Sequence, residues 1–280
     1  MRIGELNTYP IKGAAGTSHE AIGVSLKGLA GDRRWMIVDA DGRFVSQREI
    51  AKLALLGVRT EPDGIVLQIP GRDALFVRRP EGSARSRVTI WTDEVDAAAT
   101  QGDFDEALST WLGQPVRLVY FDDRASRAVS RDWIDREAPV AFADGFPLLV
   151  TSTASLEELN RRLSAAGADA VPMNRFRPNL VIEGAEPFEE DGWATIEIAG
   201  VVIDLVKPCA RCVVTTIDQA SGTKTGKEPL ATLARTHRSA DGRAPGALFG
   251  WNAVPRGPGH LKVGEAVTVR ARRETSWPTA

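Results

Sequence analysis

The first 120 positions read as a succession of short strands. Arg2 to Tyr9, Arg34 to Asp39, Leu55 to Thr60, Ile65 to Ile69, Ala74 to Arg78 and Arg87 to Trp91 are rich in β-branched and other apolar residues. The turn pairs Asp41-Gly42, Asp63-Gly64 and Gly71-Arg72 fall between them, at the tight spacing of antiparallel sheet. The period then changes. Phe104, Leu108, Trp111 and Leu112 recur at helical spacing within Asp103 to Leu112, Gly113 stops the run, and Pro115 to Phe121 resumes as strand.

From Asp122 to Ala143 no period is sustained, and Arg, Asp and Pro139 mark a linker or covering loop, a plausible lid. Phe146 to Thr151 reads as a buried strand, and Ser155-Leu-Glu-Glu158 as a capping box that opens a helix with Leu156, Leu159 and Leu163 on one face. Strands are predicted again at Leu180 to Glu183, Thr195 to Ile198, Val201 to Val206, Val213 to Ile217 and Ala266 to Arg270, with a short helix at Lys227 to Thr236. The pattern predicts a mainly β chain with a few helices (α+β): a β domain over 1–121, a linker over 122–143, a second domain over 144–273 and a frayed tail over 274–280.

Composition narrows the function classes. With 280 residues, 43% of them hydrophobic, the chain builds true cores. A formal charge of -2 leaves no global basic field for nucleic acid, so an anionic ligand must meet a local basic pocket. The start, MRIGELNTYPIKG, has no signal-peptide pattern, and no stretch reaches the roughly 18 apolar residues of a membrane span. The expected compartment is the cytoplasm, with no membrane partner. Two cysteines, Cys209 and Cys212, suit reduced chemical thiols better than a disulfide framework.

Those thiols lie in Lys207-Pro-Cys-Ala-Arg-Cys212, where Lys207 and Arg211 favour a thiolate. Three readings stay open. A zinc site needs two more ligands, and the three histidines, His19, His237 and His260, lack the usual pair spacing. A thioredoxin-like pair opens a helix after a strand, whereas strand-like Val213 to Ile217 follows here. Both thiols also pass for small buried hydrophobes.

Wider motifs change the balance. Tyr9-Pro-Ile-Lys12, Gly31-Asp-Arg-Arg-Trp35, Trp91 to Asp96, Ser152-Thr-Ala-Ser-Leu156, Asn174-Arg-Phe-Arg-Pro-Asn179, Cys209 to Cys212 and Gly257 to Gly264 occur in that order. In this set the chain resembles the two-part MOSC proteins, the group that includes the mitochondrial amidoxime-reducing component and its bacterial relatives. The resemblance implies an N-terminal β-barrel-like domain followed by a C-terminal MOSC β-barrel domain. It further implies a molybdenum cofactor (Mo-molybdopterin), held by Lys12, Arg33, Ser152, Arg177 and Asn179, with Cys212 as metal ligand and catalytic residue. Gly13 departs from the Ser that often follows the lysine in relatives, leaving a backbone N–H in place of a hydroxyl.

The implied activity is reduction of an N-hydroxylated small molecule, such as an amidoxime, hydroxamic acid or N-hydroxylated base. The chain carries neither the four cysteines of an iron–sulfur domain nor a dinucleotide fingerprint, so electrons must come from a separate ferredoxin, cytochrome or flavin reductase. The rival is a cofactor carrier or insertion factor, or a sulfur relay on Cys212. Plainer readings exist for single residues: Lys12 and Arg33 as surface charges, Arg175 and Arg177 snorkelling beside Phe176, Trp35, Trp91 and Trp193 as core, and Glu186 to Asp191 as a solvated acidic loop.

Overall fold

The strand Arg2–Thr8 pairs on one side with Thr17–His19 and on the other with Leu180–Glu183, far down the chain. That pairing places the N-terminal strand inside the C-terminal half. In the computed structural model, which describes residues 1–82, 84–275 and 277–279, it is second in an eight-stranded curled sheet. Beyond it follow Leu180–Glu183, Leu148–Ser152, Leu248–Pro255, Val201–Ala210, Trp193–Ile198 and Val267–Arg272. Ala21–Ser25 also pairs with Gly259–Lys262, so Ile3, Leu6, Ile22, Val24 and Leu29 share one core with Leu148, Trp193, Trp251 and Leu261. A single cut at residue 121 therefore does not separate the two bodies. Side chains of residues 1–29 seal the second core, which alternation along a strand cannot reveal.

The N-terminal body is a four-stranded sheet of Trp35–Asp39, Val116–Tyr120, Asp93–Ala99 and Arg85–Ile90, with a smaller sheet of Gly57–Glu61, Gly64–Gln68 and Leu75–Arg78. The helix α1 (Asp103–Leu112) lays Phe104, Leu108 and Leu112 on its core, and Gly113 ends it at φ 82°, a left-handed cap that favours glycine. Residues 122–143 form no helix or strand beyond the bridge of Ala128 to Pro139, yet they are packed. Val129, Ile134, Ala138 and Val140 cluster with Val254 of the large sheet. The cover thus rests on apolar contacts.

Several local expectations are overturned. The helix α2 (Thr153–Ala165) starts three residues earlier than the capping box implied: Ser152, at the end of a strand, accepts from the Ser155 N–H at 3.1 Å. Val213–Thr216 is a 3-10 turn and only Ile217–Asp218 is strand. The third helix, α3, spans Leu230–Thr236. The C-terminal tail is not frayed at Trp277, whose ring lies 5.9 Å from Trp251 and 6.2 Å from Trp133, and Ala240 N–H donates to the Pro278 carbonyl. Ser276 and Ala280 of that tail lie outside the described residues.

The acidic run is the largest departure. Glu190 is fully buried and Asp191 nearly so. Asp191 accepts from Trp251 Nε1 at 2.7 Å and pairs with His237 Nε2 at 3.0 Å, while Glu190 Oε2 accepts from the hydroxyls of Ser155 at 2.8 Å and Ser152 at 3.0 Å. Burial, reinforced by the Asp191 charge, pushes the Glu190 carboxyl up to about 7 from its ordinary 4.5. A raised acid holds its proton better folded than unfolded. Its contribution is full below pH 4.5 and is lost as pH rises through about 7, a window worth about 3 kcal/mol. Melting temperature is expected to fall across that window in the native chain and to stay nearly level in Glu190→Gln, as followed by calorimetry from pH 5 to 8.

Candidate active site

Between the two bodies lies a cavity of about 340 Å³, lined from both: Lys12, Arg33, Phe44 and Arg48 on one side, Arg177, Lys207, Arg211 and Cys212 on the other. Each charged group arrives there by a distinct piece of backbone. Lys12 is carried in as Ile11 bridges Trp35 and the Lys12 N–H donates to the Trp35 carbonyl at 2.9 Å. It is 8% exposed, with its ammonium on Asp144 and 5.2 Å from the centre of the Phe44 ring. Burial lowers the Lys12 pKa, and Asp144 works against that loss. The Asp144 side chain is largely exposed, and Lys12, with Arg48 and Arg33 behind it, holds that carboxyl below its usual range.

Arg33 and Arg177 both adopt left-handed backbone, at φ 45° and 56°. Such backbone in arginine persists only where its surroundings fix it. Arg33 N–H donates to the Tyr9 carbonyl at 2.9 Å, and its guanidinium reaches Asp32 at 2.6 Å, Asn179 Oδ1 at 3.1 Å and the Arg177 carbonyl at 3.3 Å. Both guanidiniums lie over the Tyr9 ring, at 4.4 and 4.1 Å. Burial pushes the Tyr9 phenol up to about 12 and brings Arg177 down to about 10. Asp32 in turn accepts from the Tyr9 N–H at 2.7 Å, closing a buried network around the first body's entry to the second.

Of the residues singled out from sequence, Lys12, Arg33, Arg177, Asn179 and Cys212 line this cavity together. Asn179 does so as a brace: its oxygen accepts from Leu149 N–H and from Arg33, and its amide donates to the Asn7 carbonyl at 3.0 Å. Ser152 is not among the lining residues. It is fully buried at the opposite end of the strand that contributes Leu148 and Leu149, with its hydroxyl engaged by Ser155 and Glu190. The need to cap α2 fixes it there.

Other members were missed. Arg48 Nη2 stands 3.5 Å from Cys212 Sγ, although the two are distant in sequence. Arg211, expected to serve the pair, instead puts Nη1 2.8 Å from Cys209 Sγ and Nη2 on the Phe176 carbonyl at 2.7 Å. Gln47 and Gln219 bridge the two halves through their amides at 3.0 and 3.1 Å, and Gln219 accepts from Arg177 at 3.4 Å. Nothing in local pattern marks Arg48, Gln47 or Gln219, since only the fold brings Arg48 to the thiol and pairs the two glutamines. Trp91, read as core, is 42% exposed and packs on Phe44 and Arg48, which line the cavity.

The donor set fits an anionic, thiolate-bound group. Arg177 Nη2 and Arg211 Nε are two of five buried side-chain polar atoms that have no hydrogen-bond partner among the described residues, and both residues line the cavity. Native interiors rarely leave such donors unmet, so they point to a ligand with anionic or strongly accepting oxygens. No group of three or more His, Cys, Asp or Glu suited to a metal ion occurs among the described residues. The cavity presents the thiols of Cys209 and Cys212 beside several cations, a donor set that suits a metal bringing its other ligands with it.

Comparison with known proteins places the chain in a family. Residues 1–115 match the family model of the MOSC N-terminal beta barrel domain and residues 137–268 that of the MOSC domain. The human protein named mitochondrial amidoxime-reducing component 1 is 30% identical over 95% of this chain and 82% of its own length. Bovine mitochondrial amidoxime reducing component 2 is 31% identical over the same shares. The crystal structure of the YUAD protein from Bacillus subtilis covers 95% of this chain and 93% of its own, at 10% identity and a TM-score of 0.44.

Proposed function

Because the chain belongs to the MOSC family, in the two-part form with an N-terminal beta barrel domain, we propose that it holds a molybdenum cofactor through Cys212 and reduces N-hydroxylated small molecules. The carrying observation is that Arg177 and Arg211, each with a buried guanidinium nitrogen that lacks a partner among the described residues, line the same cavity as Cys212. Arg177, Arg33 and Lys12 would receive the anionic end of the pterin, and Cys212 would bind the metal. When bound, the group supplies a two-electron couple able to accept oxygen from an N–O bond.

The chain's own residues do the rest. The Asp32–Arg33–Tyr9–Arg177 network holds the cations in place before any ligand arrives, so their charge is preorganised. The packed cover of residues 122–143 ends at Ala143, which lies on the cavity wall next to Asp144. Overall, an amidoxime plus two electrons and two protons becomes an amidine and water. No described helix is long and apolar enough to cross a membrane, and the electrons in this reading come from a separate redox protein docking near the mouth.

Protein purified from a cofactor-producing host is expected to contain molybdenum and pterin near one per chain, and after reduction by an artificial donor to convert benzamidoxime to benzamidine. Full zinc occupancy would sink the reading. Bound cofactor that no N-hydroxylated compound reoxidises would favour a carrier or insertion role instead.

A further inference from the structure

Trp91 sits where a tryptophan is seldom left. It occupies the two-residue turn between Arg85–Ile90 and Asp93–Ala99, at φ 56°, with its ring 42% exposed. Bulky residues rarely adopt that backbone, and an exposed indole forfeits much of its burial energy. Yet the ring is held on three sides. Phe44 meets it edge-on with centroids 4.9 Å apart, its Nε1 donates to Asp144 Oδ1 at 3.3 Å, and the Arg48 guanidinium lies 4.3 Å over its face. Phe44, Asp144 and Arg48 all line the cavity, and the same Arg48 is 3.5 Å from Cys212 Sγ. The indole face is thus one side chain away from the thiol.

The group on that face is chemically telling. A guanidinium is a flat, delocalised cation of three nitrogens on one carbon, and an amidinium shares its N–C–N fork, planarity and charge. An amidoxime is the same N–C–N frame with an oxygen on one nitrogen. A surface that holds Arg48 by its π face, with a carboxylate at the edge, is complementary to that frame. Arg48 is exposed and, among the described residues, has no carboxylate within ion-pair distance, so it can leave the face.

Resting on the N-reductive reading above, we propose that Trp91, backed by Phe44 and edged by Asp144, is the subsite that receives the N–C–N head of an amidoxime. Arg48 occupies that face in the free protein and is displaced by the substrate. The subsite favours amidoximes over hydroxamic acids, whose N–C=O head gives a neutral amide product. It makes Trp91 a specificity residue rather than a part of the cofactor pocket.

Benzamidine, a stable amidinium, tests this by calorimetric titration of the cofactor-loaded protein, with neutral benzamide as control. Its Kd is expected to rise about three- to tenfold in Trp91→Ala, to be largely restored in Trp91→Phe, and to fall below the native value in Arg48→Ala, which vacates the face. The last is a gain of binding that a damaged fold cannot imitate. The ratio of kcat/KM for benzamidoxime over benzohydroxamic acid should fall in Trp91→Ala by a similar factor. Equal benzamidine affinity in native protein and Trp91→Ala, an equal loss for benzamide, or weaker binding in Arg48→Ala would overturn the proposal. Should the protein reduce no N-hydroxylated compound at all, the functional reading fails while the Trp91 dependence of benzamidine binding is still decided on its own.

Discussion

Cys212→Ala protein, purified from a cofactor-producing host, is expected to retain less than about one hundredth of the native molybdenum and to show no N-reductive turnover. The size follows from the ligand count. Changing a residue that merely orients a metal ligand typically costs 10- to 100-fold in affinity, and here the only protein sulfur proposed for the metal is removed. Cys209→Ala is the internal control. Cys209 Sγ is satisfied by Arg211 Nη1 at 2.8 Å rather than by Arg48, so its loss should perturb Arg211 and leave most of the metal bound. Elemental analysis of both variants decides the matter. Native molybdenum in Cys212→Ala, or equal loss in the two, would remove Cys212 from the role assigned to it.

Arg33→Ala should have the largest effect on the fold itself. Its guanidinium is 14% exposed at the side chain and meets an Asp32 that is 2% exposed, so truncation strands a buried carboxylate. Breaking a buried pair by removing one partner costs about 3–5 kcal/mol. The Asn179 oxygen and the Arg177 carbonyl would lose a donor at the same stroke, and both belong to the second body. A drop in melting temperature of about 5–15 °C is therefore expected at neutral pH, together with loss of bound cofactor. Arg33→Lys keeps the charge but not the fork that reaches three acceptors, and should recover less than half of the loss. An unchanged melting temperature in Arg33→Ala would mean that Asp32 finds another partner, and that this network does not join the two bodies.

Much of the β content was legible because alternation and turn residues are local signals. The helix over Asp103 to Leu112 was readable to the residue, since its apolar spacing and the glycine after it both act within one segment. Capping is local too, but two serines three positions apart compete for it. Ser152 wins because the strand before it delivers its hydroxyl to the Ser155 N–H, and that geometry belongs to the sheet.

The cysteine pair with which the functional reading began shows the same division. The motif set and its order, through resemblance to the two-part MOSC proteins, pointed to Lys12, Arg33, Ser152, Arg177, Asn179 and Cys212 as a cofactor site, and the fold brings all of these but Ser152 to one cavity. Tertiary structure decided which groups act on one another: that Arg48 rather than Arg211 stands at Cys212, that Ser152 serves a helix, that Glu190 and Asp191 are buried, and that Trp91 packs on Phe44 of the cavity wall. Local spacing fixes backbone form, because turns and periods are set within a few residues. Burial and charge partners are set by strands that pair across the length of the chain, and Arg2–Thr8 beside Leu180–Glu183 is where that pairing joins the two halves around the site.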